Sequence, residues 1–129
     1  MKTRIYYHHT DCGGVVYYAN YLKFLEEART EYFEKRGIFV NDLHKNGIFF
    51  VVARQEIDYK LPAVYGDELE IETRVGATSR VKVEFEYDIK NQNGEIVSSA
   101  KTVLVFVDNS IKPHPIPDEL RAKLTDKVK

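Results

Sequence analysis

The sequence predicts an α+β domain in which one long helix is wrapped by a curved, mainly antiparallel sheet of about five strands. Three observations predict it. A single segment, from Tyr21 onward, carries the spacing of a long amphipathic helix. Almost everything after it alternates apolar with polar residues or runs apolar in strand-sized pieces, and Asn93-Gly94 joins two of those pieces with the strongest short hairpin signal a sequence offers.

In chain order, Lys2 to His8 is rich in β-branched and aromatic residues and predicts a first strand, which Gly13-Gly14 breaks. In the helix, Tyr21, Phe24, Leu25, Ala28 and Tyr32 share one side, and Lys23, Glu26, Glu27, Thr30 and Glu34 share the other. Asn20 is a candidate N-cap, with an earlier start near Val16 as the alternative. Gly37, preceded by Lys35 and Arg36, marks the C-terminal end, where cations suit the negative pole of the helix.

The apolar run Ile48 to Ala53, continuing through Ile57 and Tyr59, predicts the second strand, ended by Leu61-Pro62. Asp67 to Val75 predicts the third. Val81, Val83, Phe85, Tyr87 and Ile89 alternate with charged residues in the fourth. Glu95 to Val107 is the fifth, and its apolar Val103 to Val107 portion suits a strand covered on both faces. Pro113, Pro115 and Pro117 end the sheet, and Asp118 can cap a short helix over Glu119 to Leu124, with the last residues expected to fray. No repeat or low-complexity linker interrupts residues 1–129, which are expected to form one domain. One helix cannot protect every edge and face of five strands, so pairing with a second copy is expected, as a homodimer or homotetramer.

Composition narrows the function. The chain has 129 residues, of which 43% are hydrophobic, and a formal net charge of −1 from 19 basic and 20 acidic residues. Neither sign forms a block, which argues against a general nucleic-acid or membrane-surface binder. The single cysteine cannot form an internal disulfide, and MKTRIYYHH lacks the apolar core of a signal peptide, so the cytoplasm is the expected compartment. No apolar run reaches the roughly 20 residues of a membrane-spanning helix.

The chemistry-bearing residues concentrate in HHTDCGGVVYYANY, His8 to Tyr21. His8, His9 and Asp11 are metal-ligand types, but neighbours on a strand face opposite ways and no further ligand stands at the right spacing, so no metal is expected. Cys12 has Asp11 beside it, which disfavours a thiolate, and is expected to be a buried or partly buried structural thiol. Asp11 fits better: glycines follow it, and then a helix N-terminus whose free amides form a natural site for a developing oxyanion. The plainer alternative is that Asp11 only fixes the turn through backbone contacts. His8, His9, His44 and His114 are given no chemical role.

TDCGGVVYYANYLKFLEEAR, from Thr10 to Arg29, resembles the signature of hotdog-fold acyl-CoA thioesterases of the 4-hydroxybenzoyl-CoA thioesterase type, in the branch found beside bacterial Tol-Pal genes. IDYKLPAVYGDELEI, Ile57 to Ile71, and IKPHPIPDELRAKL, Ile111 to Leu124, extend the resemblance to nearly the full length. It implies hydrolysis of acyl-CoA to a free acid and CoA, with no cofactor because coenzyme A belongs to the substrate. Acyl carrier protein is a further implied partner.

Carried over residue by residue, Asp11 matches the carboxylate that serves as nucleophile or general base. The backbone amide of Tyr18 matches the group that polarises the thioester carbonyl, and Gly14 the residue that permits close approach. Much of the branch has histidine where this chain has Tyr18, so the resemblance carries over a backbone role there and not a side-chain one. Glu26 and Arg29 match a helix Glu-x-x-Arg, able to pair on the helix surface, although Arg29 also falls toward the apolar arc, where a charge needs a partner. Arg54, Arg80, Lys82 and Lys90 are candidate partners for CoA phosphates. Tyr59, Pro62 and Asp67 match family positions and are expected to pack and turn the chain. Two alternatives remain: a hydratase or dehydratase of enoyl thioesters, and a non-catalytic module that binds acyl thioesters or proteins.

Overall fold

The computed structural model describes residues 1–125, and over them the sheet has five strands in the order β1-β3-β4-β5-β2, with every neighbouring pair antiparallel. The strands are β1 (Lys2–Arg4), β2 (Ile48–Tyr59), β3 (Glu68–Thr78), β4 (Lys82–Lys90) and β5 (Ile96–Asp108). Irregular register at Val52/Arg54 in β2, Val75/Thr78 in β3 and Ile89/Lys90 in β4 bends the strands, as bulges do. That bending lets one helix lie against a concave face.

The helix α1 (Asn20–Lys35) buries Tyr21, Phe24, Leu25, Ala28, Arg29, Tyr32 and Phe33. These are the expected apolar positions plus Phe33 and the inward arginine. Opposite them stand Val83, Phe85, Tyr87 and Ile89 of β4, Leu69 and Ile71 of β3, and Leu104 and Phe106 of β5. Aromatic contacts join the two layers: Phe33 stacks on Phe50 at 5.4 Å and meets Phe85 edge-on at 5.5 Å. Each fully buried side chain of these layers, such as Phe85, contributes roughly 1.5–3 kcal/mol through removal of apolar surface from water. At the C-terminal end of α1, Gly37 has φ +75° and donates to Glu34, while Ile38 donates back to Phe33, so the predicted glycine closes the helix.

The structure corrects the sequence in four places. The first strand stops at Arg4, and Tyr7–His9 form a 3-10 turn, held where the Tyr6 amide donates to Nδ1 of His9 at 2.9 Å. Asn20 is the first helical residue rather than the cap; its side chain instead donates to the His9 carbonyl at 2.7 Å and ties the helix start to that turn. A short helix, α2 (Val40–Lys45), was not foreseen, because six residues are too few to display helical spacing. Asp118 lies inside the last helix, α3 (Asp118–Thr125), rather than capping it. The expected fraying concerns residues 126–129, outside the described residues.

Candidate active site

The turn between His9 and α1 is built from local bonds. Thr10 and Val16 form an antiparallel bridge, Asp11 N–H donates to Val15 at 2.9 Å, and Gly14 N–H donates to Asp11 at 3.0 Å. Gly14 sits at φ +82°, a left-handed conformation that side-chain-bearing residues rarely adopt. A Cβ on Gly14 would meet no atom within 4 Å, so its visible requirement is backbone conformation rather than crowding. At Gly13 the reverse holds, for a Cβ there would stand 3.2 Å from Oδ1 of Asp11.

The Asp11 carboxylate is exposed, and its Oδ1 accepts the Gly13 N–H at 2.8 Å. The turn-fixing contact expected of an aspartate is therefore present. It occupies one oxygen only, and among the described residues Oδ2 has no protein donor. A second strip, at the end of β2, faces this turn: Val16 N–H donates to Ala63 at 2.8 Å, and Val15 and Val64 form a bridge. Between the two lies a cleft of about 440 Å³, lined by Asp11, Val15, Val16, Tyr18 and Tyr21 on one side and by Tyr59 to Ala63 on the other.

The residues entering α1 leave donors free. Asn20, Tyr21 and Leu22 donate to Tyr17, Tyr18 and Ala19 in tight three-residue steps, whereas the N–H groups of Tyr18 and Ala19 reach no acceptor among the described residues. The positive pole of α1 adds to the potential there. The Tyr18 side chain is 61% exposed and lies against Tyr17 at 4.7 Å. The Tyr17 hydroxyl is held above its ordinary pKa first by the hydrogen bond with Tyr18 and least by the charge of Asp11. Burial, then the neighbouring Tyr59 and Asp67, push Tyr21 up to about 12, so it lines the cleft as a neutral phenol.

Several candidates fall elsewhere. Cys12 is exposed, not buried: the glycine turn projects it away from the core. His8 and His9 do not point to opposite faces, since the 3-10 turn brings their rings to 4.0 Å. Among the described residues no three His, Cys, Asp or Glu side chains are grouped to hold a metal ion. Burial first, then the charges of His8 and Lys23, lower the His9 pKa. Arg29 turns inward to Tyr87 and Thr102 and makes no ion pair with Glu26.

Arg54 pairs with Glu56 and Lys90 with Glu72, and neither they nor Arg80 and Lys82 line the cleft. The cation that does is Lys60, which sequence reasoning missed although it follows Tyr59 directly in IDYKLP. Asp67 is a turn residue, accepting the Val64 N–H at 2.9 Å, while Tyr59 and Pro62 line the cleft.

Comparison with known proteins agrees with this architecture. Residues 7–124 match the family described as the Thioesterase-like superfamily. The chain is 37% identical over 124 residues to the acyl-CoA thioesterase YbgC of Haemophilus influenzae, covering 95% of this chain and 90% of that protein. It is 34% identical over 121 residues to the acyl-CoA thioester hydrolase YbgC of Escherichia coli, covering 93% and 90%. Among solved structures, the DHNA-CoA thioesterase of Staphylococcus aureus superposes with a TM-score of 0.90 at 30% identity, covering 95% of this chain and 87% of that one. A five-stranded antiparallel sheet around one long helix is thus the hotdog fold of a thioester hydrolase, and the chain belongs to the Thioesterase-like superfamily.

Proposed function

We propose that this protein hydrolyses acyl-CoA thioesters to a free acid and coenzyme A, with Asp11 supplying the attacking power and the backbone N–H of Tyr18 polarising the thioester carbonyl. One observation carries the reading: a half-free carboxylate and an unpartnered helix-entry amide belong to residues that line the same cleft. Either Oδ2 of Asp11 attacks the carbonyl carbon, forming a mixed anhydride that water then cleaves, or Asp11 takes a proton from a water that attacks. Both routes expel the CoA thiolate. Charge that develops on the carbonyl oxygen is stabilised by fixed donors that need no rearrangement, commonly a large part of such catalysis.

Gly14 keeps the backbone beside Asp11 in the one conformation that shapes this turn. Tyr21, Tyr59 and the apolar residues of the cleft receive the acyl part, and Lys60 joins the candidates for a CoA phosphate. We assign the site no metal and no bound cofactor. We place the protein in the cytoplasm as a single-domain homo-oligomer acting on acyl-CoA, with acyl carrier protein thioesters as a further substrate class. Among the described residues no helix is long and apolar enough to cross a membrane. Within the superfamily, TDCGGVVYYANYLKFLEEAR favours the 4-hydroxybenzoyl-CoA type and its Tol-Pal-associated branch.

A panel of acyl-CoA and acyl-carrier-protein thioesters, with a thiol reagent to read released thiol, tests the activity. Asp11→Asn tests the assignment, because an asparagine oxygen still accepts the Gly13 N–H and keeps the turn. Loss of roughly 10²–10⁴-fold in turnover is expected for removing the acid/base or nucleophilic group. A folded Asp11→Asn variant with wild-type turnover would refute it.

A further inference from the structure

We propose that Tyr59 is a positioning residue for the thioester reaction: its hydroxyl fixes the backbone at Tyr18, the residue whose N–H polarises the substrate carbonyl. The inference rests on the reading of Asp11 and Tyr18 given above and adds to it a residue outside the His8 to Tyr21 run.

The geometry has three parts. The Tyr59 hydroxyl donates to the Tyr18 carbonyl at 3.2 Å, linking the end of β2 to the entrance of α1 across 41 positions of sequence. Among the described residues that carbonyl otherwise accepts only the Tyr21 N–H, at 3.3 Å, against 2.9 Å for the preceding bond from Asn20 to Tyr17. The tight first turn thus holds the Tyr18 carbonyl loosely, and Tyr59 supplies the second anchor. Fixing this carbonyl sets the peptide plane that follows Tyr18 and so restrains the two soft dihedrals, φ and ψ of Tyr18, that lie between that plane and the free N–H.

Tyr59 is itself a firm post. It pairs with Ser98 in the β2–β5 ladder, Ser98 Oγ donates to the neighbouring Asp58 carbonyl at 2.9 Å, and the N–H groups of Lys60 and Leu61 both donate to Val97, at 2.9 and 3.1 Å. Its ring meets the buried ring of Tyr21 edge-on at 5.3 Å, so the hydroxyl is aimed by packing on one side and by the sheet on the other. By contrast, the turn that it holds is exposed and rich in glycine. A donor held this way is already in place when the carbonyl arrives, and displacement by about 1 Å is enough to cost a site of this kind on the order of 10²-fold in rate.

Tyr59→Phe removes the hydroxyl and keeps the ring on Tyr21. Steady-state kinetics on the best acyl-CoA substrate, together with the thermal midpoint, test the inference beside wild type and Asp11→Asn. The expected result is a roughly 10- to 100-fold fall in kcat, with KM within about twofold and the thermal midpoint unchanged. Unchanged kcat overturns the inference, and so does a fall in kcat that accompanies a lowered thermal midpoint or a change confined to KM. If Asp11→Asn keeps its turnover, or wild type releases no thiol from any acyl thioester, the underlying reading fails and the inference with it. Failure of Tyr59 alone shows as a fast Tyr59→Phe variant beside an inactive Asp11→Asn.

Discussion

Nη1 of Arg29 donates to the hydroxyl of Tyr87 at 3.2 Å and to Oγ1 of Thr102 at 3.4 Å, a buried hydrogen-bond network between α1 and the sheet. Thr102 in turn donates to Gln55 at 2.6 Å, so the network runs from the helix through β5 to β2. Burial raises the Tyr87 pKa, and the arginine charge is the first of the opposing influences. An arginine that is 9% exposed is tolerated here because hydroxyl oxygens accept from its guanidinium.

Removing either partner therefore has unequal consequences. Arg29→Ala opens a void and takes away the donor shared by the Tyr87 and Thr102 oxygens, and is expected to destabilise the fold by about 3 kcal/mol, whereas Tyr87→Phe loses about 1 kcal/mol. Urea denaturation checks both. Equal effects would show that the arginine contributes only its hydrogen bond.

The two glycines after Asp11 separate stability from activity. Gly14→Ala meets no steric obstacle but forces a left-handed alanine at φ +82°, an expected loss of about 1–2 kcal/mol. Gly13→Ala instead presses on Oδ1 of Asp11 at 3.2 Å. It is expected to lower kcat several-fold, on the scale of a catalytic group displaced by a fraction of an ångström, with a smaller change in unfolding midpoint. Thermal unfolding and thiol release measured on both variants check the contrast.

Much of this was legible in the residues because local and tertiary signals agree. The arc Tyr21, Phe24, Leu25, Ala28, Tyr32 and the alternation Val83, Phe85, Tyr87, Ile89 both name the buried faces observed. The inward path of Arg29 was visible as a charge on an apolar arc, though its partners, 58 and 73 positions away, were not. Failure came where a few residues choose between conformations. Tyr6 to His9 has strand composition, yet a ring nitrogen of His9 captures the Tyr6 N–H and turns the chain. Cys12 was expected inside on its residue type, but a glycine turn sets its direction. At the site, the motif pointed to Asp11 and Tyr18, while Tyr59 and Lys60 join the cleft only because the sheet returns the end of β2 to the start of α1.

β2 is an edge of the sheet, twelve residues long, with Val52 and Tyr59 about half exposed. An unpaired edge of that length is a template for a second chain. Light scattering is expected to give at least twice the 15.0 kDa chain mass. Val52→Lys adds a charge beside Arg54 on that edge and is expected to shift the protein toward monomer, with a loss of turnover where the second copy closes the cleft. A wild-type monomer, or an unshifted variant, would refute edge pairing.

Alkaline unfolding supplies a prediction with a definite sign. Burial holds the Tyr21 hydroxyl at about 12 in the folded chain, against an ordinary 10.0. The folded state therefore keeps its proton more tightly than the unfolded chain does. The associated stability is complete below pH 10.0 and is lost as pH rises through about 12, up to roughly 3 kcal/mol for a shift of this size. Tyr32, Tyr59 and Tyr87 are raised by burial as well and act in the same direction. Tyr21→Phe is expected to flatten part of the stability decline between pH 10 and 12 while leaving stability near pH 7 within about 1 kcal/mol, because phenylalanine keeps the buried ring against Phe24 and Tyr59. Urea midpoints across that range check it. A wild-type curve that stays level to pH 12 would place the Tyr21 hydroxyl in water, and the acyl cleft would then be wetter at its inner end than its lining implies.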